Sequence, residues 1–285
     1  SRLRTRLRAA CMRQAPRSKA SGGLHPKCLG TGRQYVRIEG ITLCFPLHTM
    51  KKELAAGGEN FSDMIRDNCY DVDKTEFIKT VMESRSRVLL ITRPRRFGKT
   101  LFMDTLKNFL QLSPSHPDDA SLQRTLFHGL RILEDAEFCR QFMGRFPVLH
   151  LSLKSVAGTD FPSAYRKFAR LAAGTAQQFK PLLESPRLSD SDKTQLLRFM
   201  SLDYMRDMAH LDDAQAFLPE LVRLLAQHFE RQVVLLIDEY DVPLAKAAAG
   251  GYYEPMLSLI RSALGDILKP DPSTGAGLSS SIKKA

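Results

Sequence analysis

The sequence predicts an α/β protein, a parallel sheet flanked by helices, and three stretches of residues predict it. An apolar run, Val88 to Ile91, passes through a charged turn into Gly98-Lys99-Thr100 and then into a segment whose Leu101, Phe102, Thr105, Leu106, Phe109 and Leu110 fall at helical spacing. A second apolar run begins at Val233 and ends in adjacent carboxylates, Asp238 and Glu239. Between them, Pro147 to Leu153 carries Val148, Leu149, Leu151 and Leu153, the composition of another buried strand. Short apolar runs separated by long helical patterns are the signature of parallel strands with crossover helices.

The chain divides by composition into residues 1–49, 50–269 and 270–285. Residues 1–38 hold ten Lys/Arg and no acid, and the segment is rich in Ser, Gly and Pro with one short strand-like run, Tyr35 to Phe45. This composition favours a disordered basic leader, or a natural start at Met50, over an organellar targeting segment. Residues 270–285 have the Pro/Ser/Gly composition of a linker and are expected to be a disordered tail.

Within 50–269, Lys74 to Ser84 reads as a helix, with Asp73 either its cap or a neighbour of a bound base, alongside Lys74. Ser113 to Asp119 reads as a loop, and a helix follows from Asp135 to Phe142. His150, inside the second strand, reads as a satisfied core or edge histidine, since no ligand-type residue lies near it at metal spacing. Three long helices, Phe161 to Leu183, Ser191 to Met208 and Asp213 to Phe229, form a helical insertion before the Val233 strand; a last helix spans Tyr252 to Leu268.

Net charge is +11, from 42 basic and 31 acidic residues, but without residues 1–38 the balance is 32 against 31. The high pI is therefore no argument for nucleic-acid binding by the body of the protein. No stretch is apolar enough for a membrane span. The five cysteines are scattered without C-x-x-C spacing, which fits reduced thiols and a cytoplasmic location better than a disulfide framework or a zinc site.

The first and last apolar runs carry the chemistry. A tight turn opening a helix presents backbone N–H groups and a positive helix end to polyphosphate oxygens, and a lysine reaches the outer phosphates. That describes Arg95, Arg96, Phe97, Gly98, Lys99 and Thr100, although Arg93 stands where the motif G-x-x-x-x-G-K-[ST] has its first glycine. Asp238 and Glu239 complete the pair of motifs, because the C-terminal end of a parallel strand opens on the ligand crevice, where carboxylates escape burial. Thr100 and Asp238 are the candidate magnesium ligands, Lys99 and Glu239 the candidate catalytic groups.

The segments Tyr70-Asp71-Val72-Asp73-Lys74-Thr75-Glu76-Phe77-Ile78, Val88 to Thr100 with its Arg93-Pro94-Arg95-Arg96-Phe97-Gly98-Lys99-Thr100, and Leu236-Ile237-Asp238-Glu239-Tyr240-Asp241-Val242-Pro243-Leu244 closely resemble the AAA-ATPase-like family. The resemblance runs from about Asn60 to Lys269. It implies a P-loop NTPase domain in which the arginine-rich loop is a family form, ATP and magnesium as cofactors, and often a following PD-(D/E)XK nuclease-like domain. It also implies a further strand between the two motif strands, which this chain lacks, so the sheet is expected to be incomplete and the chain truncated. The leading expectation is a magnesium-dependent ATPase; the alternatives are a non-hydrolysing nucleotide-binding module or an inactive remnant. Nucleotide is the expected partner, with no membrane and no specific nucleic acid for the body; the protein partner is left open.

Overall fold

The computed structural model describes residues 33–38, 41–46, 53–54, 60–67, 69–70, 72–92, 97–268 and 282–284. The chain forms two units, residues 1–51 and 52–285. In the first, β1 (Arg33–Ile38) and β2 (Ile41–Pro46) pair antiparallel from Ile38↔Ile41 outward. The sequence suggests one strand across Tyr35 to Phe45 within a disordered leader. Instead two strands fold back on one another; the rest of the leader lies outside the described residues.

The second unit begins with β3 (Glu53–Leu54), parallel to β4 (Cys69–Tyr70), with α1 (Phe61–Arg66) between them. Then come α2 (Phe77–Glu83), α3 (Lys99–Leu110), α4 (Ser121–Leu126), α5 (Ala136–Phe142) and β5 (Val148–Ser152). A helical block follows, α6 (Phe161–Gln177), α7 (Asp190–Met200), α8 (Leu202–Arg206) and α9 (Leu211–Phe229). The chain closes with β6 (Val233–Asp238), α10 (Val242–Gly250), α11 (Tyr253–Leu268) and β7 (Ile282–Lys284).

The core is layered helix, sheet, helix around a small parallel sheet ordered β5-β6-β7. Successive side chains of a strand face opposite sides, and the two strands sort accordingly. Val148, Val234 and Leu236 join Phe61, Phe109, Phe127 and Phe138 in one cluster, packed by α1, α3 and α5. Leu149, Leu151, Val233 and Leu235 join the other, packed by α6, α9 and α11. Tyr165 is buried in the second cluster and donates to Met205 O at 2.8 Å; burial pushes its hydroxyl up to about 12. The fold is thus α/β, as the sequence predicts, but mostly helical with a small sheet.

Three expected elements differ. The predicted strand Val88 to Ile91 is not a strand: among the described residues no ladder partner lies beside it. It keeps the alternation of one, with Val88 and Leu90 exposed while Leu89 and Ile91 pack on the core. Between this segment and β6 is a cavity of about 260 Å³, lined by Phe102 and Leu106 of α3 on one side and Leu264 of α11 on the other, so it occupies the sheet layer itself. On that side β6 pairs with β7 only at Val233 and Val234, which leaves Leu235 to Asp238 without a strand partner among the described residues.

The helix expected over Phe161 to Leu183 ends at Gln177 and resumes as a 3-10 turn, Lys180–Glu184. Pro181 supplies the reason, because proline lacks an N–H and disfavours helical backbone at the residue before it. The helix expected over Ser191 to Met208 breaks at Ser201, whose side chain accepts from Tyr204 N and starts α8. In the tail expected to be disordered, Ile282–Lys284 adds to the open edge of β6, while residues 269–281 lie outside the described residues.

Candidate functional site

Gly98 sits at the entrance of α3 with φ 72°, a left-handed conformation that glycine adopts without a Cβ penalty. Its carbonyl accepts from Phe102 N at 2.9 Å, the first turn of the helix. Lys99 and Thr100 therefore occupy the first helical turn, where backbone N–H groups lack intrahelical acceptors and the dipole is positive. Phe97 is 61% exposed just before the turn. Arg95 and Arg96 lie outside the described residues.

Opposite this turn, β6 delivers Asp238 at its C-terminal end, and the residue is 8% exposed. Both of its oxygens are engaged: Oδ2 accepts from Thr100 Oγ1 at 2.8 Å and Oδ1 from Glu239 N at 2.9 Å. Lys99, Asp238, Glu239 and Asp241 all line the same cavity. The two motifs, far apart in sequence, thus meet at one place.

Glu239 has φ 54°, the left-handed region that a non-glycine residue occupies at a cost of order 1–3 kcal/mol. Strain of this kind is held by its surroundings, here the Asp238 carboxylate that fixes the Glu239 amide. The consequence is a chain reversal that carries Glu239 off the strand line and starts α10. Asp241 stands at the cap position of α10 but makes no capping hydrogen bond, and it faces the cavity.

Asp73 resolves in favour of structure. Its Oδ1 accepts from Thr75 N at 2.9 Å and Thr75 Oγ1 at 2.6 Å, and Oδ2 from Arg131 N at 2.8 Å. Burial pulls this carboxyl up, but the bonds from Arg131 and Thr75 outweigh it and hold it below the usual carboxylate range. It ties the start of α2 to the turn after α4. Lys74 is exposed beside it, not among the cavity residues.

His150 departs from the satisfied histidine expected of it. It lies on the Asp238 side of β5, opposite Leu236, and its Nε2 is buried with no hydrogen-bond partner among the described residues. Burial lowers its basicity first and Lys107 adds to that, against weaker opposite effects of Asp238 and Asp104. No local pattern signals this, since the neighbours come from β6 and α3.

The oxygen donors present fit a hard divalent cation: a hydroxyl and a carboxylate already within 2.8 Å of one another at the mouth of a phosphate-type turn. Among the described residues no cluster of three or more His, Cys, Asp or Glu could hold a metal by protein ligands alone. An ion here would be shared with the oxygens of a ligand, as magnesium is in nucleotide sites.

The α/β layer thus brings the lysine-threonine start of α3 to face the Asp-Glu pair at the end of β6. A family model described as predicted AAA-ATPase matches residues 55–279, and the chain belongs to that family. It is also similar to a protein of Azotobacter chroococcum mcd 1 described as an uncharacterized protein in the vnfD 5' region. The two are 28% identical over 195 residues, 68% of this chain and 30% of the relative. The chain thus spans less than a third of that relative's length. No solved structure matches. Among the described residues no helix is long and apolar enough to cross a membrane.

Proposed function

We propose that this chain is a P-loop ATP-binding domain that hydrolyses ATP with magnesium. The observation that carries the reading is the contact between Thr100 and Asp238 beside Lys99. Lys99 neutralises charge on the β- and γ-phosphates, and the backbone from Arg96 through Phe97, Gly98 and Thr100 cradles them. Arg95 and Arg96 add cationic contacts. Thr100 and Asp238 hold the magnesium ion, which when bound draws charge from the phosphate oxygens. Glu239, set off the strand by its left-handed backbone, orients or deprotonates the attacking water.

A second reading, nucleotide binding without turnover, is favoured by the cavity between Val88–Ile91 and β6. With no ladder across that gap among the described residues, the spacing between the phosphate turn and the carboxylates is left to packing and the Thr100–Asp238 hydrogen bond. Both readings place the protein away from membranes, with nucleotide as the ligand.

ATP binding and phosphate release by the full chain, beside Lys99→Ala and Glu239→Gln, test both. The ATPase reading expects turnover in the wild type, loss of binding in Lys99→Ala, and binding without turnover in Glu239→Gln. Tight binding without phosphate release selects the second reading; a folded chain that does neither refutes both.

A further inference from the structure

Tyr240 is a nucleophile at the candidate site with no part in water activation. Among the described residues it is the only one with a hydroxyl in the lining of the cavity, which it shares with Lys99, Asp238, Glu239 and Asp241. The Thr100 hydroxyl is committed to Asp238. The hydroxyls of Tyr165, Tyr204 and Tyr252 are committed as well, to Met205 O, the Asp213 carboxylate and Gly158 O. Tyr240 is 44% exposed, and its hydroxyl makes no hydrogen bond among the described residues.

The backbone beneath it is held from both sides. Glu239 N donates to Asp238 Oδ1 at 2.9 Å, and Glu239 O accepts from Val242 N at 3.2 Å. Residues 239–242 therefore close a turn with Tyr240 and Asp241 at its two central positions. Asp241 O accepts from Ala245 N at 2.9 Å, which ties the turn to the start of α10. A tyrosine fixed at its root and free at its tip meets a ligand at little cost in conformational entropy.

For a phosphoryl group held by a lysine and a magnesium ion, water and a side-chain hydroxyl are alternative acceptors, and a neighbouring carboxylate takes the proton of either. Glu239 is that carboxylate, one residue before Tyr240 and on the same cavity. We propose that the site transfers the γ-phosphoryl group of its bound ATP to the Tyr240 hydroxyl of the same chain, a tyrosine autophosphorylation; this rests on the ATP-binding reading above. The Tyr240 oxygen forms the new O–P bond, the bond from the γ-phosphorus to the bridging oxygen breaks, ADP leaves with that electron pair, and the phenolic proton passes to Glu239. The product carries about −1.5 to −2 of added charge beside Asp238, Glu239 and Asp241, which repels the next nucleotide and makes the reaction self-limiting.

The test incubates the full chain with magnesium and ATP labelled in its γ-phosphate, then denatures it in alkali, which cleaves acyl phosphates of Asp or Glu and spares phosphotyrosine. ATP binding is measured on the same preparations by calorimetry. The expected result is a stable label that mass spectrometry places on Tyr240, gained at a rate independent of protein concentration. The label is lost in Tyr240→Phe and in Lys99→Ala with unaltered circular dichroism. It persists in Tyr253→Phe, which removes another exposed tyrosine, at the start of α11. A chain that binds ATP but gains no stable label, or whose label survives Tyr240→Phe, overturns the proposal and leaves the ATP-binding reading standing. Label that survives Lys99→Ala comes from another enzyme and overturns it too, and a rate that rises with protein concentration overturns transfer within one chain. A folded chain that binds no ATP overturns both.

Discussion

Thr100 Oγ1 donates to Asp238 Oδ2 at 2.8 Å across 138 positions of sequence, and this bond joins the start of α3 to the end of β6. A hydrogen bond to a charged acceptor contributes about 1.5–3 kcal/mol. Thr100→Val keeps the shape and removes the donor. It is expected to lower unfolding free energy by roughly that amount in denaturant titration and to erase the dependence of nucleotide binding on magnesium. Unchanged magnesium dependence would remove Thr100 from the ion site.

Glu239 invites a stability test with a cost in function. Glycine at this left-handed position relieves strain of order 1 kcal/mol, in part offset by greater freedom of the unfolded chain. Glu239→Gly is therefore expected to unfold at higher denaturant than Glu239→Gln while both lose phosphate release. A lower midpoint for the glycine variant would show that the Glu239 side chain stabilises the turn.

The buried imidazole of His150 sets a pH dependence. Its basicity is lowered in the fold, by burial and then Lys107, so the unfolded chain takes up a proton first, near the ordinary histidine value of about 6.5. Stability from this group is full above that pH and falls as pH drops toward the folded value. His228, lowered by burial and by Arg187, acts with the same sign. His150→Leu is expected to flatten the fall in unfolding free energy between pH 7 and pH 5, and an unaltered slope would assign the effect to His228.

Tyr252 holds the loop after β5 through both polar atoms of Gly158. Tyr252→Phe leaves those groups without this partner and is expected to cost about 1–3 kcal/mol. Gly158→Ala should cost more, because its methyl group would meet the Ser163 side chain and the α6 backbone. Thermal melts of the two variants rank them; a harmless Gly158→Ala would mean that α6 shifts readily.

What was legible in the sequence was local. The helix from Lys99 follows from glycine before a lysine and an apolar stripe, and β6 from an uninterrupted apolar run with carboxylates at its end. The break after Gln177 was also written there, in Pro181, and the restart at α8 in Ser201. Val88 to Ile91 misled because alternation is local whereas a ladder needs a neighbour, and the neighbour's place is a cavity. The tie from Asp73 to Arg131 and the unpartnered His150 nitrogen depend on side chains far off in sequence. The meeting of Thr100 with Asp238 was anticipated as chemistry, and the layered sheet brings it about.

The edge of β6 from Leu235 onward, unpaired on that side among the described residues, also bears on how the protein behaves in company. Main-chain groups from Leu235 onward face a gap whose far wall ends in Leu90, 66% exposed. Such an edge is a template for strand addition by other chains. Copies crowded together are thereby offered a main-chain route to aggregates, so solubility should fall with concentration more steeply than the near-neutral charge of the body alone would bring about.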